Sequence, residues 1–146
     1  MPVTYVVGMD GSEASQRALS FAKRQVSLIQ DEYLLLLVSV VEWSPYKFQT
    51  TQENAERKKR KKEEVQLAQD RIIEPALSEL KSHGYSAKGI VIHGNAATAL
   101  NNVATEYGAE QIFVARSTES GFSARVFGSV TANLVMTASV PVTVVN

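Results

Sequence analysis

The segment Leu34-Leu35-Leu36-Leu37-Val38-Ser39-Val40-Val41 is apolar at nearly every consecutive position, and this constrains the fold more than any other feature of the chain. A strand with one wet face alternates apolar and polar residues. A strand apolar on both sides needs cover on both, which is the environment of a parallel sheet sandwiched between helical layers. Val3 to Met9, Gly89 to Ile92, Gln111 to Ala115 and Val140 to Val145 read as strands of the same sheet. All these runs are far shorter than the ~18 apolar residues of a membrane span.

Between the strands the apolar period changes to that of a helix. Asp10-Gly11-Ser12 has the residues of a turn and a helix start, and Ala14, Ala18, Phe21, Ala22 and Ile29 then recur at helical spacing from Ser12 to about Ile29. The second helical segment, roughly Gln52 to His83, carries Val65, Ala68, Ile72, Ala76, Leu77 and Leu80 on one stripe. Pro75 predicts a kink or break near Ile73, and Gly84 is suited to a left-handed C-cap. His93-Gly94-Asn95 reads as a turn into a helix bearing Ala96, Ala99, Leu100, Val103, Ala104 and Tyr107. After the polar stretch Arg116 to Arg125, Gly128-Ser129 is expected to open the last helix, through Val130, Leu134, Val135 and Ala138.

The order β-α-β-α-β-α-β-α-β predicts an α/β fold: one open five-stranded, mostly parallel sheet with helices on both faces, with residues 1–146 forming a single domain. Such sheets bind ligands beyond the carboxyl ends of their strands, where the strand order reverses. The loops after Met9, Val41, Ile92 and Ala115 are therefore the candidates for a site.

Composition narrows the chemistry. The chain has no cysteine, which excludes disulfides, thiolate metal sites and a cysteine nucleophile, and makes the cytoplasm the expected compartment. Fifteen basic residues balance 15 acidic ones. The run Arg57-Lys58-Lys59-Arg60-Lys61-Lys62 points all around a helix and is flanked by Glu53, Glu56, Glu63 and Glu64, so it reads as a solvated helix and not as a nucleic-acid surface. Trp43, Tyr46 and Phe48 are expected to close the core beneath a long loop. No Gly-x-Gly-x-x-Gly, Walker-type phosphate loop, His-Glu-x-x-His or Gly-x-Ser-x-Gly motif is present, and of the two histidines only His93 follows a strand. No metal ligand set or catalytic residue is assigned.

Two places have a specific case. Asp10 lies where the first strand meets the cleft, and its carboxylate either caps the following helix or accepts hydrogen bonds from ribose hydroxyls. Gly128-Ser129, as a helix start, would offer backbone N–H groups, the positive end of a helix dipole and a hydroxyl to an anion.

With these residues in view the chain resembles the universal stress protein family over essentially its whole length. The landmarks are Asp10-Gly11-Ser12 with Ala18, the strand ending Ser39-Val40-Val41, the turn His93-Gly94-Asn95-Ala96, and the closing Gly128-Ser129-Val130 with Ala138-Ser139-Val140-Pro141-Val142. The resemblance implies a Rossmann-like fold of the adenine-nucleotide alpha-hydrolase type. It also implies a homodimer that pairs the strand Val140 to Val145 with its twin, and a stress-response regulator or sensor that binds ATP or another adenine nucleotide. By the same resemblance Asp10 would meet the ribose and Val40 the adenine, Gly94 would border the ligand, and Gly128, Ser129 and Val130 would hold phosphates, with Arg116 or Arg125 nearby.

Many members carry Gly-x2-Gly-x9-Gly-Ser/Thr after the fourth strand. Here the first two glycines are replaced by Ala115 and Thr118, and Glu119 follows. That departure supports an alternative, a nucleotide-free dimer acting through a partner. Magnesium is expected only with bound nucleotide, and at most slow nucleotide hydrolysis, since no general base stands out.

Overall fold

The computed structural model describes the backbone of residues 2–42, 51–116 and 122–146, and side chains within 2–42, 55–116 and 130–146. The aromatic cluster Trp43, Tyr46 and Phe48, and Thr118 and Glu119, lie outside the described residues.

Five strands, β1 (Val3–Gly8), β2 (Tyr33–Val41), β3 (Ala87–His93), β4 (Gln111–Ala115) and β5 (Val142–Val145), form one sheet in the order β3-β2-β1-β4-β5. Every pairing is parallel. The chain builds outward from β1 through β2 to β3, then returns to place β4 on the other side of β1. The order therefore reverses between β1 and β4, where the connections leave in opposite directions and open a crevice.

The pleat sends alternate residues to opposite layers. Tyr5, Val7, Leu35, Leu37 and Phe113 enter one core, with Ala18 and Ala22 of α1 (Glu13–Ser27) and Leu77 and Leu80 of α3 (Glu74–Ser82). Val6, Leu36, Val38, Ile112 and Val114 enter the other, with Leu100 and Val103 of α4 (Ala96–Glu106) and Leu134 of α5 (Phe122–Thr137). The consecutive leucines of β2 are buried because each face meets a helical layer. Phe113, the largest fully buried side chain, meets Tyr5 edge to face, with ring centroids 5.1 Å apart.

The long helical segment is interrupted at the predicted place. α2 (Thr51–Ala68) passes into a π-helical stretch, Gln69–Ile73, and α3 begins with Pro75 in its first turn. Proline brings no N–H donor to an α-helical ladder, and the wider π-turn just ahead of it accommodates that loss. The insertion also keeps the inner stripe in register. Ala68 and Ile73 are both buried although they lie five positions apart, a spacing that a straight α-helix would not place on one face. Gly84 adopts φ +83° just past α3, as its C-cap reading required.

Three sequence expectations are corrected. α5 starts at Phe122, so Gly128-Ser129 lies inside the helix and does not open it; the preceding Ala124-Arg125-Val126-Phe127 holds no glycine or proline to stop a helix extending toward its N-terminus. His93 is the last residue of β3 and not part of the following turn, because β2 remains paired up to Val41↔His93. The last strand is Val142–Val145; Pro141 precedes it and its carbonyl accepts from Ile112 N at 3.0 Å.

Candidate functional site

The crevice at the reversal of strand order holds a cleft of about 290 Å³. Gly8 and Met9 line it at the end of β1 with exposed Asp10 at its mouth, Val38, Val40 and Glu42 form one wall, and Val114 and Ala115 of β4 the other. Leu100 of α4 and Val130 and Thr131 of α5 close it from one helical layer. This surface is mostly apolar with a few polar groups at its mouth, the usual make-up of a small-molecule site.

Asp10 is fixed by the start of α1. Ser12 N donates to Asp10 Oδ1 at 2.9 Å, and Ser12 Oγ donates to the same oxygen. Ser12 Oγ in turn accepts from Ser15 N at 3.1 Å, so Ser12 is the N-cap and Asp10 stands one step behind it. The capping alternative for Asp10 is thereby settled: its carboxylate orients the cap residue and lines the cleft. Gly11, with φ +82°, makes the turn between them, and Ile72 of the π-helical stretch packs where its side chain would be.

Beyond the ends of β2 and β3 lies a second recess, of about 470 Å³, lined by Glu42, His93, Gly94 and Asn95. Glu42 borders both cavities. Asn95 caps α4 by accepting from Thr98 N at 3.1 Å, and Gly94 N donates to the carbonyl of Val41 at 2.9 Å, which ties the turn to β2. Burial is the first cause holding the His93 imidazole below its usual pKa; Lys61 and Arg57 of α2 act in the same direction and Glu64 opposes them.

Of the residues expected at a site, Asp10, Val40, Ala115 and Val130 meet around the cleft, and Gly94 lines the neighbouring recess. Gly128 and Ser129 belong to the α5 backbone, and Thr118 lies outside the described residues. Sequence reasoning missed Glu42, Ser15 and Leu100. Glu42 carried a signal, as the first polar residue after β2. Ser15 and Leu100 read only as helix positions, and nothing local marked their turn toward the cleft. Among the described residues no group of three or more histidine, aspartate or glutamate side chains is placed to hold a metal ion.

Fold and cleft together define a doubly wound parallel α/β protein with a ligand-sized crevice at its topological switch point. The sequence model of the universal stress protein family matches residues 4–146, and the chain belongs to that family. Solved structures share its fold. Universal stress protein UspA from Lactobacillus plantarum is 19% identical with a TM-score of 0.65, over 99% of this chain and 97% of that one. A universal stress protein in complex with cAMP is 22% identical with a TM-score of 0.62, over 99% and 97% of the two chains. A universal stress protein family protein from Arabidopsis thaliana with AMP bound is 13% identical with a TM-score of 0.65, over 99% and 91%. No match is found among curated proteins. No described helix is long and apolar enough to cross a membrane.

Proposed function

We propose that this protein binds an adenine nucleotide in the cleft between β1 and β4 and acts as a stress-response regulator or sensor, as a homodimer in the cytoplasm and not as a fast catalyst. The observation that carries this reading is the position of Asp10. A carboxylate, one oxygen of which is already held by Ser12, stands at the mouth of an apolar crevice at the switch point. Its other oxygen is suited to a ribose hydroxyl, and Val40 and Leu100 offer apolar surface to a purine. Two structural relatives of the same fold, one in complex with cAMP and one with AMP bound, support the ligand class. β5 lies at a sheet edge with Val144 exposed, which favours pairing with a second copy through that strand. Magnesium would enter only with the phosphates of a nucleotide.

The second reading is a nucleotide-free dimer that acts through a partner protein. Ala115, which is buried where many family members carry glycine, favours it.

Mass spectrometry of small molecules released from the denatured protein, followed by titration with AMP, ADP and ATP, separates the two. Binding of an adenine nucleotide that weakens at least tenfold in Asp10→Ala is expected. The proposal fails if none binds below millimolar concentration and Asp10→Ala changes nothing.

A further inference from the structure

Two consecutive isoleucines of the π-helical stretch, Ile72 and Ile73, pack on the core that the sheet shares with α1 and α3. Each stands over a glycine. Ile73 Cγ2 occupies the space that a side chain on Gly89 of β3 would need, and Ile72 Cγ1 and Cδ1 lie 3.3 and 3.4 Å from the position a Cβ on Gly11 would take. Ile73 is fully buried, whereas Ile72 is half-buried and reaches out to the turn formed by exposed Asp10 and Gly11. The π-turn that presents Ile72 is clasped from the solvent side, where Gln69 Nε2 donates to Glu74 Oε1 at 2.6 Å. Five steps along an α-helix would leave these two side chains about 140° apart, so they meet because the helix has widened.

Gly11 takes φ +82°, and glycine is the residue with the greatest backbone freedom to lose. A turn hinged on it has no side chain of its own to anchor it there. The hydrogen bonds from Ser12 to Asp10 Oδ1 tie the turn to itself, and Ile72 ties it to the core. Ile72 does not line the cleft, which opens among Val38, Leu100 and Val114 of the other core layer. Any effect of Ile72 on a ligand must therefore pass through the turn that carries Asp10.

We infer that Ile72 is a positioning residue for the cleft: packed on Gly11 from the π-turn, it holds the Asp10 carboxylate at the cleft mouth in the orientation a ligand meets. The inference rests on the reading that Asp10 accepts hydrogen bonds from the ribose of an adenine nucleotide. It adds that this carboxylate is ordered before the ligand arrives, so the ligand does not bear the cost of ordering it.

Adenosine titration of the intact protein and NMR relaxation of its backbone amides test this together. Ile72→Ala is expected to weaken adenosine binding about fivefold or more, since the carboxylate must then be ordered on binding. Ile72→Val keeps the branch nearest Gly11 and should stay within about twofold of the parent. In an Asp10→Ala background Ile72→Ala should add no more than about twofold, because the group it positions is gone. Ile73→Val trims the neighbouring buried side chain instead and should leave affinity unchanged. In relaxation, Ile72→Ala should raise the picosecond-to-nanosecond mobility of the Gly11 and Ser12 amides while those of β1 stay rigid. The positioning role is overturned if Ile72→Ala binds adenosine like the parent, or weakens binding equally with and without Asp10. If the parent binds neither adenosine nor AMP, the nucleotide reading fails and relaxation decides alone: Gly11 and Ser12 amides that remain rigid in Ile72→Ala overturn the positioning role, and their selective loosening sustains it.

Discussion

Gly89 of β3 lies directly beneath Ile73 of the π-helical stretch, and a methyl group on Gly89 would overlap Ile73 Cγ2. The glycine here is a matter of packing. Ile73 is fully buried, and it reaches the sheet because the π-turn drops one residue deeper than an α-helix would. Gly89→Ala is expected to destabilise the fold by about 1–3 kcal/mol through overpacking. Leucine at position 73 has no Cγ2 branch at Cβ, so Ile73→Leu in the Gly89→Ala background should recover part of the loss. Urea unfolding of the two single variants and the double variant measures the coupling; strictly additive effects would falsify the contact.

The turn at Ser12 gives a prediction on both stability and ligand. Ser12→Ala removes the cap on Ser15 N and one of the donors to Asp10. A loss of about 1 kcal/mol is expected from the cap. The freed carboxylate should also weaken binding of adenosine in the cleft, while Ser12→Thr, which keeps the hydroxyl, restores both. Thermal unfolding and adenosine titration of the same samples check the pair of effects, and an alanine variant that loses stability without losing affinity would separate the cap from the site.

How much of this was legible in the sequence follows from which signals are local. The strands were readable because the unbroken apolar runs of β2 and β1 have only one comfortable environment, a sheet covered on both faces. That Asp10, Val40 and Ala115 meet around the cleft was readable because all three lie at or just beyond the carboxyl ends of strands. The start of α5 was not. A Gly-Ser pair resembles a helix start, and only the continuity of the backbone from Phe122 shows that Gly128 is interior. Ile73 was missed for a related reason: a search at α-helical spacing steps from Ala68 to Ile72, and the extra π-turn residue moves the buried position to Ile73.

The lowered pKa of His93 sets a pH dependence with a definite sign. Above the ordinary value of 6.5 the ring is neutral in both folded and unfolded chains. As pH falls through 6.5 the unfolded chain takes up its proton first, so stability declines until the native ring protonates as well, and the loss is constant below that point. Stability measured by urea midpoint should thus fall between pH 7.5 and 5 through this group, and His93→Gln should flatten that part of the profile. Lys61→Gln should raise the native pKa of the ring, since it removes one of the charges that oppose protonation. A His93 titration that lies above that of the unfolded chain would reverse the sign.

The position of Gly128 inside α5 leads to a prediction about phosphate number. An α-helix leaves about four N–H groups unpaired at its start. With α5 beginning at Phe122, those groups belong to residues 122–125, and the N–H groups of Gly128, Ser129 and Val130 are committed to the helix. The backbone donors that a Gly-Ser helix start would turn toward phosphates are therefore engaged in the ladder. Ala115 adds a buried methyl at the end of β4, and Thr118 replaces the second glycine of the family's pattern in the sequence. If the cleft takes a nucleoside end, affinity should stay level or fall from AMP to ADP to ATP, since each added phosphate brings charge without new donors. Ala115→Gly combined with Thr118→Gly should reverse this order by loosening the loop and allowing the backbone to meet the phosphates, with ATP gaining about tenfold over AMP. Isothermal titration of the three nucleotides against the parent and the double glycine variant decides it. A parent protein that already prefers ATP tenfold over AMP would mean that the helix start unwinds to Gly128 when nucleotide binds.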